Sequence, residues 1–157
     1  MSTCCAAIIL FIYSSISDFF IQLFQGALQR EICHMIITVF CNSKHISIRL
    51  MELIDETNEG VSYYSAFSYE EAIQRLAEQY ADVVLIDVDF AKNKTPELLK
   101  RIQQNPGNPV VMVLFSAGSE ISMKQFRNSG ADYLFDKYND FEKIAPVIKS
   151  ITDRLVT

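Results

Sequence analysis

From residue 36 onward, short apolar runs alternate with stretches whose apolar positions recur every three or four residues. Residues 36–40 (IITVF), 83–86 (VVLI) and 110–115 (VVMVLF) are almost uninterrupted apolar runs, as a strand covered on both faces of a parallel sheet requires. Residues 61–66 and 133–135 are shorter or more mixed and read as further strands. Between them, residues 47–55 place Ile48, Leu50, Met51, Leu53 and Ile54 at helical spacing, and Glu59-Gly60 closes the segment. Ser68 followed by Glu71 has the spacing of a capping box, opening a helix through Ala72, Ile73, Leu76 and Ala77. Residues 96–104 predict a third helix with Leu98, Leu99 and Ile102 inward, followed by the turn cluster Asn105-Pro106-Gly107-Asn108-Pro109. Residues 121–128 predict a fourth, closed by Ser129-Gly130. Residues 141–155 predict a fifth, in which Pro146 marks either a kink or a late start.

Five strands alternating with five helices define an α/β fold with a doubly wound five-stranded parallel sheet. In such sheets functional groups collect at the carboxyl ends of the central strands. That rule draws Cys41, Asn42, Asp87, Ser116 and Lys137 around one crevice.

Residues 1–34 differ in character from residues 35–157. Residues 6–28 are long and apolar enough for a membrane helix, but Asp18 lies inside the stretch and no basic residue precedes it. The missing basic region also argues against a signal peptide. Three readings stay open: an extension from an upstream start ahead of Met35, a membrane-associated helix, or an added helix packing on the domain. If the stretch inserts, Arg30 and Lys44 follow it and leave the domain cytoplasmic.

Composition adds exclusions. The net charge is −5 and no Lys/Arg run occurs, which argues against direct nucleic-acid binding. Cys4, Cys5, Cys33 and Cys41 form no C-x-x-C pair and have no His at zinc spacing. They read as reduced thiols of a cytoplasmic protein, and His34 and His45 as isolated surface or packing residues.

A strand ending in aspartate, a later strand ending in a small hydroxyl residue and a last strand ending in lysine form a chemical set. The aspartate can take a phosphoryl group whose oxygens the hydroxyl and ammonium then hold. In ADVVLID (residues 81–87), PELLKRI (96–102), PVVMVLFSA (109–117) and GADYLFDK (130–137), the chain resembles the receiver domain of two-component response regulators. The GADYLFDK ending and the FEKIAPVI that follows resemble one subgroup of that family. The resemblance spans about residues 35–155 and implies a flavodoxin-like fold and a signalling rather than enzymatic role. It implies Asp87 as phosphoacceptor, Lys137 as the conserved lysine, Ser116 as the switch hydroxyl, and Leu134 or Phe135 as the switch position. Its implied partners are a histidine kinase, a phosphotransfer protein or another signalling protein, meeting residues 119–128, 133–135 and 141–155. A membrane is a partner only if residues 1–34 form a real helix.

The chain also departs from the family pattern. Receivers usually carry two acids after the first strand, which hold Mg²⁺ beside the acceptor; here Cys41 and Asn42 stand there. A metal would have at most Asp87 and the Asn42 amide, so Mg²⁺ binding is expected to be weak. A gap-free count back from Lys137 reaches Phe115 rather than Ser116. Tyr138 follows the lysine in place of proline, and the loop after Asp87 has Ala91 and Thr95 in place of proline and glycine. Phosphoryl transfer gathers several negative charges that Mg²⁺ normally neutralises, so phosphorylation of Asp87 is expected to be slow or absent. An Asp87–Lys137 ion pair would then hold one conformation. Asp89 reads as a solvated loop acid. A working receiver phosphorylated on Asp87 is the alternative. A haloacid-dehalogenase-like phosphatase, suggested by Asp87-Val88-Asp89, is remote, because no acid-bearing strand follows the lysine. No output domain is expected after Thr157, so the chain would work alone, through another protein, or at a membrane.

Overall fold

The computed structural model describes residues 35–116 and 120–156. The readings of residues 1–34, including the apolar stretch 6–28, Cys4, Cys5, Cys33 and His34, lie outside the described residues. Among the described residues no helix is long and apolar enough to cross a membrane.

The chain runs β1 (Met35–Phe40), α1 (Lys44–Asp55), β2 (Val61–Ala66), α2 (Tyr69–Glu78), β3 (Val83–Asp87), a four-residue α3 (Val88–Ala91), a 3₁₀ turn (Lys92–Lys94), α4 (Thr95–Gln103), β4 (Val110–Phe115), α5 (Glu120–Asn128), β5 (Tyr133–Asp136), a second 3₁₀ turn (Phe141–Lys143) and α6 (Ile144–Val156). The five strands form one parallel sheet in the order β2-β1-β3-β4-β5. This is the flavodoxin-like order, whose direction reverses between β1 and β3.

Strand composition follows position in the sheet. β3 is buried at every residue, and β1 and β4 at all but their ends or one site. The edge strands β2 and β5 are largely half-buried, hence the Ser and Tyr mixture of VSYYSA. The two-residue alternation sorts side chains between two cores. Val83, Leu85, Met112 and Leu114 face α1 and α6 through Leu50, Ile54, Ile144 and Ile148. Val84, Ile86, Val111 and Val113 face α4 and α5 through Leu98, Leu99, Ile102 and Phe126.

Helix boundaries follow capping chemistry more closely than apolar spacing does. α1 begins three residues earlier than the apolar spacing predicts, because the Ser43 hydroxyl accepts from the Ile46 N–H. It stops at Asp55, ahead of Glu59-Gly60. At α2 the Ser68 hydroxyl accepts from the Glu71 N–H at 3.1 Å. The Glu71 carboxylate reaches back to the Phe67 N–H at 2.9 Å, one residue beyond the usual capping box. Gly130, at φ +108°, closes α5 in a conformation that suits glycine. Pro146 lies in the first turn of α6, where a missing N–H breaks no helical bond. The late start, not the kink, is what forms.

Candidate functional site

The carboxyl ends of β1, β3, β4 and β5 converge on one crevice. Asp87 ends β3 fully buried. Its Oδ1 accepts the Asp89 N–H at 2.9 Å, so the side chain also caps α3. Lys137, just beyond β5, is held by its backbone N–H donating to the Phe115 carbonyl at 2.8 Å. Its ammonium lies 2.5 Å from Asp87 Oδ1 and 2.6 Å from Asp89 Oδ2. The lysine side chain is only 11% exposed. One cation therefore bridges two carboxylates, the inner buried and the outer facing solvent.

Asp89 is the residue that sequence reasoning passed over. It is exposed, as a solvated loop acid should be, yet it completes the bridge.

Burial works against the Lys137 charge, but the hydrogen bonds and charges of Asp87 and Asp89 outweigh it and raise its pKa above the ordinary lysine value. A raised folded pKa means that the bridge contributes fully below the unfolded value of about 10.4. That contribution is lost as pH rises through the higher folded value. The stability difference between the native chain and Lys137→Met, read from urea midpoints, is expected to stay constant from pH 7 to about 9 and to shrink above about 10.5. A difference that does not shrink above that pH would exclude the bridge as its source.

Of the other expected site residues, Ser116 follows β4 and lines a cavity shared with Lys137. Leu134 and Phe135 fall on opposite faces of the sheet. Leu134 packs toward the α4/α5 core, and Phe135 is buried in the α1/α6 core. Cys41 and Asn42 follow β1. The Cys41 thiol is buried and donates to the Ser43 carbonyl at 3.2 Å. Burial pushes its pKa up, with Asp87 adding to the rise. The Asn42 amide nitrogen turns toward the Asp89 carbonyl at 3.5 Å.

These donors fit Mg²⁺ poorly. The ion demands near-octahedral oxygen coordination, whereas Cys41 offers a protonated sulfur and Asn42 turns its amide nitrogen toward the Asp89 carbonyl. No group of three His, Cys, Asp or Glu side chains clusters among the described residues. Asp87 Oδ2 is buried with no hydrogen-bond partner among the described residues, but one free oxygen is one ligand. The positive charge beside the acid comes from Lys137.

The loop after Asp87 carries backbone strain. Lys92 adopts φ 48°, ψ −122°, a glycine-favoured conformation. Lys92→Gly is expected to raise stability by about 1 kcal/mol in urea unfolding, since such strain costs of order 1–3 kcal/mol and glycine returns part of it as backbone entropy. A loss of stability would mean that the Lys92 side chain makes contacts outweighing the strain.

The fold and the Asp–Lys pair define a receiver-type domain. The model of the response regulator receiver domain matches residues 39–149, and the chain belongs to that family, whose members are signalling modules of two-component systems. Among curated proteins it resembles the sensory transduction protein LytT of Bacillus subtilis (strain 168), at 25% identity over 100 residues. The match covers 64% of this chain and 41% of LytT, so the chain spans less than half the length of that relative. Among solved structures it resembles the signal receiver domain of a DNA-binding response regulator from Colwellia psychrerythraea 34H (TM-score 0.69, 19% identity, covering 76% of this chain and 98% of that one). A two-component response regulator from Clostridium difficile is similar to the same degree (TM-score 0.69, 20% identity, 78% and 99% coverage). At these identities the structural likenesses speak for the fold.

Proposed function

We propose that this domain signals by contact with a partner protein of a two-component or phosphorelay pathway, with weak or no Mg²⁺-dependent phosphorylation of Asp87. The observation that carries this reading is the Lys137 ammonium bridging Asp87 and Asp89, where β1 ends in Cys41-Asn42. The buried Asp87 charge already has a cation beside it, and an incoming phosphoryl group has to break that bridge. Contact surface is available. Ile48 and Met51, one turn apart on α1, are 51% and 37% exposed, and Tyr138 beside the site is 80% exposed. A histidine kinase, a phosphotransfer protein or another signalling protein is the partner class this reading predicts. The surface expected from the family, α5 and α6 with β5, is a second contact face.

Asp87 Oδ2, without a hydrogen-bond partner among the described residues, favours the alternative, a receiver that accepts phosphate on Asp87. The full chain and Asp87→Ala, incubated with a small-molecule phosphodonor with and without Mg²⁺ and weighed intact by mass spectrometry, separate the two. The expected result is no phosphate-sized gain in either form. A gain requiring both Mg²⁺ and Asp87 establishes the working receiver instead. The phosphatase reading returns only if the chain turns over a phosphate ester and Asp87→Asn abolishes it.

A further inference from the structure

Beside the Asp87–Lys137 bridge, on its α1 side, lies a cavity of about 230 Å³. Its apolar lining comes from Ile46 on α1, Leu114 on β4, and Phe141, of which Leu114 and Phe141 are buried. Arg49 also lines it, with its guanidinium 4.6 Å from the centre of the Phe141 ring. The other cation there, Lys137, is spent on Asp87 and Asp89. No carboxylate pairs with Arg49 among the described residues: their ion pairs involve Arg75, Arg101, Lys137, Lys143 and Lys149. Ser116 and Tyr138 add hydroxyls, His45 an imidazole, and Asp89 a carboxylate that Lys137 holds at 2.6 Å. The composition is that of a small-molecule site, an apolar lining with a few convergent polar groups, at the carboxyl ends of the strands where this topology places ligands.

We infer that this cavity binds a small aromatic carboxylate, its ring against Ile46 and Phe141 and its carboxylate on Arg49. Size sets the upper limit. The volume holds roughly eight waters at about 30 Å³ each, enough for one benzene-sized ring with its acid group and too little for a nucleotide. Charge selects the head group. An unpaired guanidinium forms a two-pronged hydrogen bond with a planar carboxylate. The ring recovers burial that inorganic phosphate cannot. A ligand so placed touches both α1 and the segment after β5, and so joins the Ile48/Met51 face to Tyr138. The inference goes beyond the contact reading: a chain that accepted phosphate on Asp87 would still carry this cavity, and the phosphodonor measurement decides that question separately.

The test uses the full chain with 4-fluorobenzoate, followed by ¹⁹F NMR. The expected result is saturable binding, weakened at least about tenfold by Arg49→Gln and unchanged by Arg154→Gln, a charge removed far from the cavity. Neutral 4-fluorobenzyl alcohol should bind at least about tenfold more weakly than the acid. Inorganic phosphate should not match the acid in affinity. No saturation in the millimolar range overturns the inference, as does binding indifferent to Arg49→Gln. Phosphate binding as tight as 4-fluorobenzoate overturns the aromatic class and leaves a bare anion site. Circular dichroism and urea midpoints of the variants confirm that lost binding is not lost folding.

Discussion

Replacing Lys137 by methionine is expected to cost the domain about 3–5 kcal/mol of stability, far more than an ordinary surface lysine would. The reason is asymmetry. Asp87 is fully buried, while the lysine that neutralises it is reached from the surface through Asp89. Removing the cation strands a carboxylate in a low-dielectric interior with one oxygen that has no partner among the described residues. Adding Asp87→Asn to the Lys137→Met background is expected to recover a large part of the loss, because the cost lies in the stranded charge and not in missing methylene packing. Urea unfolding of the two single variants and the double variant measures this coupling. A Lys137→Met loss under about 1 kcal/mol would mean that the pair behaves as an exposed one and does not hold the site in a single state.

Phe40→Ala is expected to cost a comparable about 3–5 kcal/mol, for an apolar reason. Phe40 ends β1 with no exposed surface and stacks on Phe90 at 6.0 Å between ring centres. Phe90 directly follows Asp89, so this contact ties the core to the segment that supplies the outer carboxylate. Truncation leaves a ring-sized space beneath that segment, and a close-packed interior fills it only in part. Since a domain of this kind has about 5–15 kcal/mol to lose, Phe40→Leu serves as the milder variant, with a smaller loss. A Phe40→Ala loss below about 1.5 kcal/mol in urea unfolding would show that α3 and its flanking turn collapse into the space, and would break the proposed tie between core and site.

Much of the fold was legible before any coordinates. The buried strands β3 and β4 stand out because covering both faces leaves no room for polar residues, and the sequence shows this as unbroken runs. Helix ends were less legible. At α1 the deciding event is a single hydroxyl, Ser43, capping a turn whose first residues are polar and so leave no trace in the apolar spacing. The alternation of five strands with five helices, together with Asp87 and Lys137 at strand ends, also pointed to the family before the family match did.

What the chain alone determined was which residues reach the carboxyl edge of the sheet, because strand order and alternation follow from local pattern and from the short right-handed connections of such folds. Tertiary structure decided how those residues share their charges. Asp89 and Lys137 lie far apart in sequence, and nothing local distinguishes a loop acid that bridges a buried pair from one that faces only water. The same holds for Arg49 over Phe141 and for the cavity they line. Periodicity assigns a side chain to a face. Which charge it meets there depends on distances between elements, and those exist only once the sheet has brought its strand ends together.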